Sequence, residues 1–167
     1  MTVRTAEHSD LPAILAIYNE SGVGTTASAD LEPITLEQRT AWFDEHIAGG
    51  YPVLVAEDDN GRVVGWASLS AYHRKPGYRL TAEDSVYVAP DRLGKGIGAL
   101  LLPRLIEAGR AAGFHTIVAV IGGTNEASVR LHERNGFKHA GTIRDAVRKF
   151  DRWQDIVYMQ LVLNDEV

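Results

Sequence analysis

Cysteine is absent from the chain, which excludes a disulfide framework and catalysis through a thiol nucleophile. An excess of basic charge is also missing, because 22 acidic side chains outnumber 17 Lys and Arg and the formal net charge is -5. Nucleic acid is therefore disfavoured as a partner, since such binding depends on a basic surface. The six histidines show no metal-ligand spacing such as H-E-x-x-H, so we predict no metal.

Long apolar segments are missing as well. No apolar run approaches the roughly 20 residues that a bilayer-spanning helix needs. The first residues, 1–8, lack the apolar stretch of a signal peptide. We therefore expect no membrane contact and a cytoplasmic location. With 167 residues and no repeat or linker, the chain is expected to form one domain over 1–167.

Helix and strand signals alternate along the chain and predict a mixed α+β fold. Asp10 is predicted to cap the first helix, and a loop rich in Gly and Thr is predicted over 21–33. Thr35 and Gln38 have the spacing of a capping box at the start of the second helix. The predicted helices end near residues 20, 47, 112 and 135, and the predicted strands cover 2–5, 51–57, 62–71, 83–88, 116–121, 138–144 and 155–163.

A glycine-rich loop in the middle of the chain is the strongest functional signal. The β-branched and aromatic run 86–88 stops before Pro90, and three alternating glycines (Gly94, Gly96 and Gly98) then precede an apolar helical pattern. The first N–H groups of a helix have no partner within the helix, and the helix dipole favours negative charge there. This strand, loop and helix therefore predict a phosphate or pyrophosphate site.

Two common nucleotide motifs do not fit this loop. A Rossmann site has the spacing G-x-G-x-x-G and an acidic residue about 20 positions on. Here the spacing is G-x-G-x-G, and Val118 stands about 20 positions beyond Gly98. A P-loop needs Ser or Thr after its lysine, whereas Lys95 is followed by Gly96. A different phosphate-bearing ligand is therefore predicted.

The residues 92–98 resemble the acetyl-CoA pyrophosphate loop of the GNAT superfamily of N-acetyltransferases, whose pattern is Q/R-x-x-G-x-G/A. Leu93 departs from it, because Gln or Arg is usual at that position. The segment 125–137 is similar to the second signature of the superfamily, an Asn-led helix that ends in Gly-Phe. The resemblance implies acetyl-CoA as co-substrate. It implies that the pyrophosphate is held mainly by the backbone of Leu93, Gly94, Lys95, Gly96, Ile97, Gly98 and Ala99.

Further segments resemble one branch, the phosphinothricin / methionine sulfoximine (methionine sulfone) acetyltransferases. They are 78–88, 118–121, 128–132 and 149–155, and Asp151 stands where the branch usually has Gly. The resemblance implies a central mixed, mostly antiparallel twisted sheet, flanked by helices and splayed at the acetyl-CoA site. It also implies an acyltransferase that acetylates the α-amine of a small amino-acid-like substrate by direct attack, and a homodimer.

Glu83 is the predicted catalytic base, because a protonated amine must lose a proton before it can attack a thioester. The position matches the proposed catalytic glutamate of the branch. On a regular strand Glu83 shares a face with Ser85 and Tyr87, whereas its rival Asp84 lies on the other face. The alternative is a solvated carboxylate at a strand end.

The resemblance also implies the remaining roles around acetyl-CoA. Main-chain N–H groups of Val86, Tyr87 and Val88 would polarise the thioester and pair with the pantetheine arm. His132 would protonate the leaving thiolate, or else it is simply bonded at a helix end. Asn125 would bind the pantetheine amide or cap its helix, and Ser128 lies one turn further on the same face.

The substrate side is predicted at basic and polar loop positions. These are Arg74, Lys75, Tyr78 and Arg79, of which the basic ones suit an anionic amino acid, and Thr26, whose loop 25–27 resembles a substrate-facing loop of the branch. The alternative is an exposed charged loop. Two other functions stay open: acetylation of a protein N-terminus or other amine, and a non-catalytic acyl-CoA-binding module.

Overall fold

The computed structural model describes residues 1–123 and 125–163. A seven-stranded sheet has the strand order β1-β2-β3-β4-β5-β7-β6. Its strands are β1 (Thr2–Thr5), β2 (Val53–Glu57), β3 (Val63–Ala71), β4 (Thr81–Val88), β5 (Thr116–Gly122), β6 (Lys138–Lys149) and β7 (Arg152–Val162). Every neighbouring pair is antiparallel except β4 and β5.

Helices cover both faces of the sheet. They are α1 (Leu11–Ile17), α2 (Leu36–Gly49), α3 (Ile97–Ala111) and α4 (Glu126–Arg134). The core on one face includes Trp66, Ile14 of α1 and Phe43 of α2, and the core on the other includes Leu101 and Leu105 of α3. Within 1–123 and 125–163, no helix is both long and apolar enough to cross a bilayer.

The sheet opens between β4 and β5. These parallel strands pair only at Thr81–Thr116, Ala82–Ile117 and Glu83–Val118. Beyond Glu83 they separate, and residues 84–88 stay paired with β3 on their other side. The predicted mixed, mostly antiparallel sheet and its splay are thereby confirmed.

The first helix differs from its prediction. The α-helix ends at Ile17, and a π-helical turn over Tyr18–Val23 occupies the start of the predicted loop. This wider turn is stabilised from the sheet, because the Ser21 hydroxyl donates to the Val88 carbonyl at 2.7 Å. Such a tertiary contact leaves no local sequence signal.

The C-terminal hairpin is longer than predicted. β6 and β7 meet at a tight turn in which Phe150 and Asp151 both have positive φ, 52° and 56°, as type I′ hairpin turns require. The exposed polar residues of β6 hide the strand pattern, and its register shifts between Ile143 and Val147. The predicted boundaries near 144 and 155 were therefore wrong.

Candidate active site

A cavity of about 390 Å³ lies at the opening between β4 and β5. This size falls in the range of small-molecule sites. Its walls come from the π-turn and the loop after it, from α2, β4 and β5, from the first turns of α4 and from the C-terminal hairpin. The lining residues used below are Tyr18, Thr26, Arg39, Trp42, Trp66, Glu83, Asp84, Tyr87, Asn125, Ser128, His132 and Lys149.

Glu83 lines this cavity at the last paired position of β4 and β5. Burial raises the pKa of its carboxyl group, and the neighbouring charge of Asp84 raises it further. A carboxylate with a raised pKa is a better base than an ordinary one, so its position and its chemistry both suit proton abstraction.

Asp84 points to the opposite side of β4, where it meets His132 of α4. The distance from Asp84 Oδ2 to His132 Nε2 is 2.8 Å, and both side chains are buried. His132 Nδ1 donates to the Ser128 carbonyl at 2.7 Å. Burial lowers the pKa of His132, but the hydrogen bond and charge of Asp84 and the Ser128 carbonyl together raise it above its usual range. Both ring nitrogens are thus held by the protein, which fits the predicted alternative of a histidine bonded at a helix.

The start of α4 also borders the cavity. The Asn125 side-chain oxygen accepts from the Ser128 N–H at 3.1 Å, so Asn125 caps the helix. Asn125 and Ser128 both line the cavity. The capping bond uses the amide oxygen of Asn125 and leaves its amide nitrogen as a donor.

The glycine-rich loop turns directly into α3. Gly94 and Gly96 have φ values of 73° and 79° with open space where a Cβ would stand, so their conformation rather than crowding favours glycine. A Cβ on Gly98 would lie 3.0 Å from Leu131, which shows that Gly98 also lets α3 approach α4. The N–H groups of Ile97, Gly98 and Ala99 lie in the first turn, where they have no acceptor within the helix. This cradle fits a pyrophosphate.

Side chains around the loop are engaged elsewhere. Arg92 forms ion pairs with Asp58 at 2.8 Å and Asp91 at 3.5 Å, and Lys95 donates to the Asp91 carbonyl at 3.1 Å. Leu93 is 63% exposed. The loop therefore offers mainly backbone donors.

The free edge of β4 carries Val86, Tyr87 and Val88. The Tyr87 ring packs against Trp66 and Tyr18 at centroid distances of 5.0 and 5.3 Å. Its side chain thus builds the cavity wall, and its main-chain N–H faces β3. The main-chain groups of Val86 and Val88 face the opening toward β5.

The predicted substrate residues divide into two groups. Thr26 lines the cavity. Arg74, Lys75, Tyr78 and Arg79 are exposed on the connection between β3 and β4 and do not line it. The Tyr78 ring packs locally against Tyr72 and His73. Within one chain this basic loop is therefore outside the cavity.

Two buried basic residues were missed as site residues. Arg39 lies on the inner face of α2, and Lys149 lies at the end of β6; both line the cavity. Lys149 Nζ donates to the Ser28 carbonyl at 2.8 Å, and burial lowers its pKa. A signal for Arg39 was present, because its spacing to Phe43 and His46 puts it on the core-facing side of an amphipathic helix.

Comparison with known proteins identifies the class that this fold and site define. The family model "Acetyltransferase (GNAT) family" matches residues 12–137, and the chain belongs to this family. An L-methionine sulfoximine/L-methionine sulfone acetyltransferase of Pseudomonas paraeruginosa is 47% identical over 98% of this chain and 95% of its own length.

A further relative and a solved structure support the same class. The L-amino acid N-acyltransferase MnaT of Escherichia coli is 42% identical over 99% of this chain and 95% of its own. A crystal structure of a GNAT superfamily phosphinothricin acetyltransferase from Sinorhizobium meliloti in complex with AcCoA has a TM-score of 0.96. It is 37% identical, over 99% of this chain and 90% of that one.

Proposed function

We propose that the chain transfers an acetyl group from acetyl-CoA to the α-amine of a small amino-acid-like substrate of the phosphinothricin, methionine sulfoximine or methionine sulfone type. The observation that carries this function is the position of Glu83. Its buried carboxylate lines a small cavity at the residue where β4 and β5 separate. The names of the relatives support the substrate class.

Acetyl-CoA, when bound, supplies the acetyl group as a thioester. Its pyrophosphate fits the N–H groups at the start of α3, and its pantetheine arm fits the free edge of β4 and the Asn125 side chain. Glu83 takes a proton from the substrate ammonium, directly or through a water. The amine nitrogen then bonds to the acetyl carbon, the carbon–sulfur bond breaks, and the nitrogen releases its second proton to water as the amide forms.

The main-chain N–H groups of Val86 and Val88, which face away from β3, stabilise the charge that develops on the carbonyl oxygen. His132 is the proposed proton donor to the thiolate, with Ser128 beside it. In that step the Nε2 proton would leave its bond to Asp84. Because the chain has no cysteine, transfer is direct and has no thiol-bound acyl intermediate.

The test is thiol release from acetyl-CoA in the presence of a panel of amines. We expect turnover with phosphinothricin, methionine sulfoximine and methionine sulfone, and little with a peptide. Binding of acetyl-CoA without turnover of any amine would indicate a non-catalytic module. Preference for the peptide would indicate acetylation of protein N-termini.

A homodimer and a cytoplasmic location complete the proposal. Apolar side chains stand exposed on the C-terminal hairpin, namely Ile143, Phe150, Trp153 and Val162, and such patches mark contact sites. Light scattering after chromatography should show a dimer that Trp153→Ser weakens and Ile47→Ser, an exposed α2 control, does not. Cell fractionation tests the location.

A further inference from the structure

Arg39 is a buried cation within an aromatic cage. Its side chain extends from the inner face of α2 and is 3% exposed. The guanidinium carbon lies 4.5 Å from the centre of the Tyr18 ring, 4.4 Å from Trp42 and 5.3 Å from Trp66. Cation–π contacts with these rings hold the guanidinium group in place and leave its N–H groups free to donate hydrogen bonds to a ligand.

This cation has no anionic partner in the described part of the chain. No carboxylate of residues 1–123 and 125–163 lies within 4.0 Å of it. Its Nε atom and the neighbouring Trp66 Nε1 are buried without an acceptor there. Asp30, the nearby acid, accepts from the Tyr18 hydroxyl at 2.5 Å. A buried charge without a partner is costly, so such an arrangement is typical of a ligand site.

Arg39 and its three aromatic neighbours line the same cavity as Glu83. The cavity thus has a carboxylate on β4 and a guanidinium group on α2. Lys149, the other buried cation of the cavity, already donates to the Ser28 carbonyl. A zwitterionic amino acid is complementary to the first two groups, with its ammonium at Glu83 and its carboxylate at Arg39.

The geometry points to Arg39 as the residue that binds the carboxylate of the amino-acid substrate. This inference rests on the proposed function, because it places the amine of that substrate at Glu83. The planar guanidinium group can donate two parallel hydrogen bonds to one carboxylate, a geometry that lysine cannot provide. Arg39 would therefore determine preference for free amino acids over their neutral amides.

The experiment compares methionine sulfone with its carboxamide in the wild type, Arg39→Gln, Arg39→Lys and the surface control Arg104→Gln. Wild type and control should prefer the acid. Arg39→Gln should lower kcat/KM for the acid about 30- to 100-fold, mainly through KM, as expected for the loss of a charged hydrogen bond. Its kcat/KM for the amide should change less than about threefold.

Equal losses for acid and amide would overturn the inference, because they indicate a structural role only. If Arg39→Gln does not fold, the same comparison of acid and amide is made with Arg39→Lys. A retained preference for the acid with a raised KM supports carboxylate binding, and equal loss on both substrates contradicts it. A wild type without acid preference also contradicts it while leaving the proposed function intact. A wild type that binds acetyl-CoA but turns over neither substrate overturns the proposed function itself.

Discussion

Asp84 of β4 and His132 of α4 form a buried pair across 48 residues of chain, with 2.8 Å between carboxylate oxygen and ring nitrogen. Their side chains are 2% and 5% exposed. The pair joins the strand that carries Glu83 to the helix that carries Asn125 and Ser128. It therefore fixes the position of the proposed base, Glu83, relative to the residues of α4 that border the proposed acetyl-CoA site.

Replacement of Asp84 by Asn should lower the pKa of His132, because it removes the charge that favours the imidazolium form. NMR titration of the His132 ring measures this directly. The wild-type pKa should lie above the ordinary value of about 6.5, and that of Asp84→Asn should lie below the wild-type value. An equal pKa of His132 in wild type and Asp84→Asn would contradict the assigned ion pair.

The same pair predicts how stability depends on pH. The pKa of His132 is higher in the folded state than its unfolded-state value of about 6.5. The contribution of the pair to the free energy of unfolding is therefore fully present below about pH 6.5 and is lost as the pH rises through the folded-state pKa. Asp84→Asn should therefore cost about 2 kcal/mol of unfolding free energy at pH 5.5 and clearly less at alkaline pH. Urea unfolding of both proteins across this range tests the sign, and a gap that widens with pH would be inconsistent with it.

The local elements of the site were predictable from the sequence. Two of them depend only on neighbouring residues. The loop needs positive φ at Gly94 and Gly96, and Asn125 caps its helix by accepting from the Ser128 N–H three residues on. The opposite faces of Glu83 and Asp84 also follow from strand periodicity. These features need no knowledge of distant parts of the chain.

The remaining site features depend on tertiary contacts. Asp84 and His132 meet only because α4 packs against α3 and β5, at the opening of the sheet. The π-turn is stabilised by the hydrogen bond from the Ser21 hydroxyl to the Val88 carbonyl. The spacing of Arg39 places it on the core-facing side of α2, but the aromatic rings that surround its guanidinium group come together only in the folded chain. The basic loop at Arg74 had the right composition for an anion but does not reach the cavity of its own chain.

Replacement of Glu83 by Gln should lower the rate of acetyl transfer at least about 100-fold at pH 7, because the base is lost. The loss should be smaller near pH 9, where a larger share of the substrate amine is already unprotonated. In the wild type, kcat/KM should fall on the acid side at a pH above the ordinary carboxyl value of about 4.3, since the pKa of Glu83 is raised. Glu107→Gln, on the exposed side of α3, is the matched control. A variant as active as wild type at both pH values would rule out Glu83 as the base.

Replacement of Gly96 by Ala should weaken acetyl-CoA binding. Gly96 has a φ of 79°, a left-handed backbone conformation that costs a residue with a Cβ about 1 to 2 kcal/mol. If the backbone shifts to relieve this strain, the N–H groups at the start of α3 turn away from the pyrophosphate. Calorimetry with acetyl-CoA should show a Kd raised about tenfold or more. Gly141→Ala on β6, which has open space and no positive φ, should bind as wild type does. Equal affinity of both variants would show that the loop does not hold the pyrophosphate through its backbone.

Replacement of Asp151 by Gly should stabilise the protein. Asp151 has a φ of 56° at the hairpin turn, a conformation that is strained for a residue with a side chain and free for glycine. Its carboxylate is 98% exposed and lies 3.7 Å from Arg148, so the ion pair that is lost contributes little. Urea unfolding should show a gain of about 0.5 to 1 kcal/mol, since the greater flexibility of glycine in the unfolded chain offsets part of the relieved strain. Asp59→Gly, at an exposed turn without positive φ, should give no gain, and a similar gain in both variants would argue against backbone strain at Asp151.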